Sequence, residues 1–159
     1  MEKRLLSLLE KDARYTNSDL AELLNISEEE IAKMVDSFKE KGIIKGYQTI
    51  IDWNKAIPDM TEAMIEIKVT PQKSVGFDKI AEEIAAFPEV RSVSLMSGGF
   101  DLAVTVRATS MKEVAMFVGE KLSTLETVQS TATHFFLNNY KLDGKILFDK
   151  KKDEREFAL

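Results

Sequence analysis

The chain has 159 residues, 44% of them hydrophobic, and its 22 basic and 27 acidic residues give a net charge of -5. That length holds one ordinary domain or two small ones, and the apolar fraction is enough to fill packed cores, which argues against disorder over most of the chain. The absence of cysteine excludes disulfides and thiolate metal sites, and the acidic balance argues against broad attraction to nucleic acid while leaving room for a local basic surface.

Glu2, Lys3 and Arg4 lead into a Leu-rich stretch broken by Glu10, Lys11 and Asp12, which is not the pattern of a secretory leader. No run is long and apolar enough to span a membrane, so no membrane partner is expected and the expected location is cytoplasmic. Leu5, Leu8 and Leu9 form the apolar stripe of a first helix, Leu20, Leu23 and Leu24 that of a second, and Ile31, Val35 and Phe38 that of a third. Thr16 stands three residues before Asp19, and Ser27 three before Glu30. Each pair opens an apolar repeat, so side-chain and backbone donors can be satisfied reciprocally at the helix start. Two capped helices separated by so little chain predict a helix-turn-helix, whose second helix can be presented to a DNA major groove.

Gly42 is a good terminator for the third helix, and the loose alternation from Ile44 to Ile51 predicts a short strand or wing with a turn at Gly46. Lys33 and Ser37 share one helical face and are candidates for the inserted surface, while Lys39, Lys41 and Lys45 suit phosphate contacts. Glu28, Glu29, Glu30 and Asp36 oppose them, and the first 56 residues carry 9 basic and 11 acidic side chains.

Trp53, Asn54 and Pro58 read as a connector, with Trp53 packing at the junction. From Thr61 the apolar period changes from helical to alternating. Ala63, Ile65, Ile67 and Val69 point one way and Glu62, Met64, Glu66 and Lys68 the other, in a half-buried strand ending at Pro71. Phe77, Ile80, Ala81, Ile84 and Ala85 make a helical face that stops before Pro88. Val90 to Met96 and Leu102 to Val106 are strands joined by a hairpin through Ser97, Gly98 and Gly99. Ser110 and Glu113 predict another capping box ahead of Val114, Phe117, Val118 and Leu122, and a last strand follows from Val128 to Leu137.

Strand, helix, strand, strand, helix, strand is the split βαβ, or ferredoxin-like, order. The fold class is therefore α+β: a winged helix-turn-helix over residues 1–52, a linker over 53–60, and a ferredoxin-like βαββαβ domain over 61–148. A charged tail over 149–159 is expected to be a peripheral helix or a frayed end. The two helices cover one sheet face, and apolar residues on both sides of the strands argue against a monomer.

Chemistry-bearing residues are few. His134, the only histidine, has no clustered partners and is expected to be structural or to lie beside a ligand, not to bind metal. Asp101 follows Gly98, Gly99 and Phe100 at the start of an apolar strand. It reads equally well as an acceptor for a ligand ammonium or loop amides and as a local turn cap. The glycines lack the spacing and Lys-Ser or Lys-Thr pair of a phosphate loop, and no nucleophile and base stand together, so neither an enzyme nor a cofactor is expected.

The arrangement resembles the Lrp/AsnC family of transcription regulators over nearly the whole chain. The resemblance is carried by Asp12-Ala13-Arg14, Leu20-Ala21, Ser27, Ile31, Val35, Phe38 and Gly42-Ile43-Ile44 in the first half. In the second half Gly98-Gly99-Phe100-Asp101 followed by Leu102 to Val106 matches the family's glycine, aromatic and aspartate signature, and Thr131 to Leu137 with Lys141 resembles its final strand. It implies a domain that binds double-stranded DNA joined to a ligand-sensing domain, assembled as dimers and often as octamers. It also implies an amino-acid effector in an inter-subunit pocket near Gly98, Gly99, Phe100 and Asp101. Where relatives often place an arginine in the recognition helix, this chain has Met34, expected to pack inward.

Overall fold

The computed structural model describes residues 1–70 and 76–148. The expected end of the first strand at Pro71 and the charged tail from Asp149 lie outside the described residues. The chain divides between Thr49 and Ile50 into two compact units.

In the first unit, helix α1 spans Glu2–Lys11, α2 Asn17–Leu24 and α3 Glu28–Glu40. Both predicted capping boxes form: the Thr16 hydroxyl accepts the Asp19 N–H at 3.1 Å and the Ser27 hydroxyl accepts that of Glu30 at 3.2 Å, with each acid bonded back to its cap. Asn25, left-handed at φ 56°, ends α2, so only three residues separate the helices. Leu5, Leu9, Leu20, Ala21, Leu24, Ile31 and Phe38 are buried together, with Leu8, Met34 and Val35 packed at the margin. Met34 thus faces inward. Leu23, assigned to the stripe from its sequence position, is instead 49% exposed, because on α2 the inward face is taken by Leu20, Ala21 and Leu24.

Gly42, at φ 66°, closes α3: its N–H donates to Lys39 O at 2.9 Å and the Ile43 N–H to Phe38 O at 2.8 Å. This satisfies the last carbonyls in a way a side-chain-bearing residue resists. The strand expected between Ile44 and Ile51 does not form: among the described residues no ladder partner lies beside this stretch. Ile44 packs on the helical core instead.

The second unit begins with a one-turn helix, α4 (Trp53–Ala56), capped by Asp52, whose carboxylate accepts the Lys55 N–H at 3.3 Å. Strands β1 (Thr61–Val69), β2 (Val90–Leu95), β3 (Leu102–Ala108) and β4 (Val128–Phe135) then form an antiparallel sheet in the order β2-β3-β1-β4. Helices α5 (Asp78–Ala85) and α6 (Met111–Glu120) follow β1 and β3, which is the predicted ferredoxin-like order.

Period-two alternation sets the core. Ala63, Ile65 and Ile67 pair with Val106, Val104 and Leu102, all buried, and Ile80, Ile84, Val114, Phe117 and Leu122 close over them. A buried Ile or Leu contributes roughly 1.5–3 kcal/mol, so this face dominates the unit's stability. The Ser110 hydroxyl accepts the Glu113 N–H at 3.2 Å as expected. The return bond is displaced by one residue, with Glu113 accepting the Thr109 N–H at 2.9 Å, so the reciprocal box does not close.

The other sheet face carries Glu62, Met64, Glu66 and Lys68 on β1, opposite Arg107, Thr105 and Ala103 on β3 and His134, Ala132 and Ser130 on β4. It is mixed in polarity, as the alternation of β1 predicts, because the strands place their branched aliphatics on the helix side. A short hairpin, β5 (Lys141–Leu142) and β6 (Lys145–Ile146), turns through Asp143 and Gly144 at φ 43° and 80°. An Asp-Gly pair between two short runs is a strong local hairpin signal.

Candidate nucleic-acid interface and glycine hairpin

Helix α3 turns Ile31 and Phe38 into the core. At roughly 100° per residue, Glu29, Lys33 and Glu40 stand diametrically outward, with Asp36 beside them and Ser37 half-buried at the flank. Lys33 and Ser37 are therefore on adjoining outer faces, and Lys39, Lys41 and Lys45 are exposed around the carboxy-terminal end of the helix and the stretch beyond it. Neither lysine on the helix stands alone. Lys33 Nζ lies 2.7 Å from Glu29 Oε1, and Lys39 Nζ 3.5 Å from Asp36 Oδ1. The third acid of the first turn, Glu30, is held back against the Ser27 N–H and hydroxyl, which keep its carboxyl below the usual range. These pairings are the part of the site that position alone could not supply, although Glu29 and Lys33 have the favourable order and spacing for a helical ion pair.

The hairpin between β2 and β3 leaves Gly98 and Gly99 exposed and Phe100 and Asp101 half-buried. Asp101 Oδ2 accepts the Val69 N–H at 2.9 Å, its own N–H donates to Ile67 O at 3.0 Å, and its carbonyl accepts the Met96 N–H at 2.8 Å. Of the readings open from sequence, a bond to a backbone amide is present, though it reaches across to β1 and is not made within the turn. A Cβ at Gly98 or Gly99 would meet nothing within 4 Å. The fold of the single chain therefore does not require glycine there.

On the uncovered sheet face Arg107 and Glu62 pair at 2.5 Å, each side chain 18% exposed, with the Trp53 ring 4.7 Å from the guanidinium carbon and Asn139 bonded to the second Glu62 oxygen. Trp53 thus packs within the second unit, over the uncovered sheet face where β1 starts and β3 ends. His134 Nε2 lies 3.3 Å from Glu66 Oε1 on the same face. Among the described residues no group of three or more histidine, aspartate or glutamate side chains could hold a metal ion, and no helix is long and apolar enough to cross a membrane.

A capped helix-turn-helix followed by a ligand-domain-like βαββαβ unit is the architecture of a two-part transcription regulator. Comparison with known proteins agrees. A winged helix-turn-helix DNA-binding model matches residues 1–45, and the Lrp/AsnC ligand binding domain model matches residues 62–146. The HTH-type transcriptional regulator YugG of Bacillus subtilis, itself uncharacterized, is 43% identical over 155 residues, covering 97% of this chain and 93% of that protein. E. coli AsnC superposes with a TM-score of 0.68 at 23% identity, covering 89% of this chain and 93% of that one. The transcriptional regulator NMB0573 of Neisseria meningitidis, solved as its L-Met complex, gives 0.71 at 22% identity over 89% and 90% of the two chains. These two structures speak to the fold. The chain belongs to the Lrp/AsnC family of helix-turn-helix transcriptional regulators. Its family and fold are regulatory, not enzymatic.

Proposed function

We propose that this chain binds double-stranded DNA through α3 as a homodimer or a higher assembly such as an octamer, and that an amino acid or similar zwitterion modulates that assembly or its DNA affinity. In this reading residues 1–52 read DNA, residues 61–148 sense and assemble, and residues 53–60 link them. The observation that carries it is the seating of α3: Ile31 and Phe38 fix one face in the core and leave Glu29, Lys33 and the flanking Ser37 outward. Lys39, Lys41 and Lys45 are placed for phosphates.

The sensing half rests on Gly98 and Gly99, whose open surroundings allow a ligand carboxylate to reach backbone amides, with Phe100 and Asp101 beside them. The L-Met complex of NMB0573 supports the ligand class. Assembly rests on the sheet face that α5 and α6 leave uncovered, and on the gain in affinity when weak half-site contacts are duplicated.

The test is selection of bound genomic fragments at several salt concentrations, with and without pooled amino acids, alongside light scattering. Enrichment of discrete sites by an oligomer supports the reading; a monomer at all concentrations removes the assembly half. The Lys33–Glu29 and Lys39–Asp36 pairs favour a second reading, an amino-acid-binding oligomeric sensor without sequence-specific DNA binding. If assembled protein enriches no DNA in any ligand state, that second reading is the better account.

A further inference from the structure

We infer that Glu29 and Lys33 act together as one reading head for a G·C base pair, with Glu29 a specificity determinant and not merely a repulsive charge. The inference rests on the DNA-binding reading of α3. Three acids open that helix, and they are not equivalent. Glu30 is turned back onto Ser27 by bonds of 3.0 and 2.9 Å. Glu28 lies toward the side of the helix nearer the core. Glu29 alone stands opposite Ile31 and Phe38, in the amino-terminal part of the helix from which a helix-turn-helix reaches base edges.

The carboxylate of Glu29 and the ammonium of Lys33 are 2.7 Å apart and highly exposed, at 77% and 72% of the side chain. They therefore present an acceptor and a donor side by side at hydrogen-bond spacing. The major-groove edge of G·C offers the complementary order: guanine N7 and O6 are acceptors, and next to O6 the cytosine N4 amino group is a donor. The O6 and N4 atoms are themselves joined by a base-pair hydrogen bond, so their separation falls in the same range, about 2.7–3.2 Å. Lys33 donating to guanine and Glu29 accepting from cytosine would keep their mutual contact while satisfying the base pair.

An A·T pair also sets a donor, adenine N6, beside an acceptor, thymine O4, but it gives the ammonium only that one acceptor and crowds it with the thymine methyl, whereas guanine offers Lys33 both O6 and N7. An exposed helical ion pair is worth little in water, so forming these contacts sacrifices little existing stability. The same carboxylate also keeps Lys33 from serving as a loose phosphate anchor. Sequence preference is thereby gained at the expense of nonspecific affinity.

The experiment is selection of duplexes from a random library by the full-length protein and by its Glu29→Gln and Lys33→Ala variants, followed by titration on the selected site and on a random duplex. The expected wild-type result is a G·C pair fixed at one position of each half-site. Glu29→Gln should then relax or redirect that position, toward adenine because glutamine pairs with its N6 and N7, by roughly tenfold or more in relative affinity while other positions hold. Lys33→Ala should lose guanine at the same position. A Glu29→Gln motif identical to wild type, with affinity raised uniformly on all duplexes, would overturn the inference and leave the DNA-binding reading standing. A wild-type protein that enriches no duplex overturns both.

Discussion

Asp101 and Val69 are joined across the sheet by a charge-assisted hydrogen bond of 2.9 Å, at the point where the β1–β4 register shifts between Lys68 and Val69. The hairpin that carries Gly98 and Gly99 is therefore anchored to the end of the central strand by the residue that the ligand reading also uses. Structural and ligand roles must be separated by measurement. Asp101→Ala is expected to lower unfolding free energy by about 1.5–3 kcal/mol, the scale for a hydrogen bond to a charged group, and Asp101→Asn by less because an acceptor oxygen remains. Urea denaturation checks the first statement, and an unchanged midpoint in Asp101→Ala would refute it. Calorimetry with the common amino acids on folded Asp101→Asn isolates any loss at an ammonium site.

A second anchor ties α6 to the start of β2. Lys121 Nζ contacts Glu89 Oε1 and also lies 5.5 and 5.8 Å from the ring centres of Phe87 and Phe117, which pack edge to face. The Lys121 bond holds the Glu89 carboxyl below its ordinary value, while Glu89 Oε2 is enclosed with no hydrogen-bond partner. Removing the ammonium leaves a half-buried carboxylate with only the bond from its own backbone N–H. Lys121→Ala should cost about 1–2 kcal/mol, after discounting for partial solvent exposure, whereas Lys33→Ala, losing only a solvated helical pair, should cost about 0.5 kcal/mol or less. Thermal melts of the two variants side by side test the ordering. Equal losses would mean the Glu89 contact is no better than a surface pair.

Four carboxylates have pKa values lowered on folding: Asp19 and Glu30 by bonds from Thr16 and Ser27, Glu89 by Lys121, and Glu113 by Thr109. For such groups the folded state binds protons less readily than the unfolded chain. Their contribution is fully present above the unfolded values of 3.8 for aspartate and 4.5 for glutamate, and it is lost as pH falls through the lower folded values. Stability should therefore be flat near neutrality and decline from about pH 5 downward. Glu30→Gln should make that acid decline shallower, since it removes the carboxylate that the Ser27 backbone N–H and hydroxyl hold at a lowered pKa. Denaturation midpoints between pH 3 and 7 provide the measurement, and an identical acid slope in Glu30→Gln would reject the assignment.

Much of this molecule can be read from local chemistry. Thr16 and Ser27 announce their helices because a cap is a short-range device, and Ala63 to Val69 announce β1 because alternation is local too. The failures have non-local causes. Leu23 fits a helical stripe, and which of α2's apolar residues turn inward depends on α1 and α3. The stretch from Ile44 to Ile51 has strand-like alternation, but a strand needs a neighbour, and among the described residues none lies beside it. Asp101 could not be resolved because its donor partner, the Val69 N–H, is 32 residues away. The Asp143-Gly144 turn, by contrast, is a local signal legible in the sequence.

Gly42 and Lys45 give a final prediction in which stability and DNA affinity are moved separately. Gly42 sits at φ 66°, and a Cβ there would approach Lys45 Nζ to 2.8 Å. The obstructing atom is the end of a flexible side chain and can move away, so the main penalty of Gly42→Ala is the left-handed backbone, about 1–2 kcal/mol. Lys45 is exposed, so Lys45→Ala should leave the melting temperature nearly unchanged. Its effect should fall on DNA. Removing one phosphate contact weakens specific and random duplexes by a similar factor and lowers the slope of log affinity against log salt by about 1 per subunit. Gly42→Ala, measured well below its melting temperature, should retain that slope because the ammonium can still reach the backbone. Titrations of both variants at several salt concentrations decide the matter. A Lys45→Ala protein that loses affinity only for the selected site would move Lys45 from phosphate positioning to base recognition.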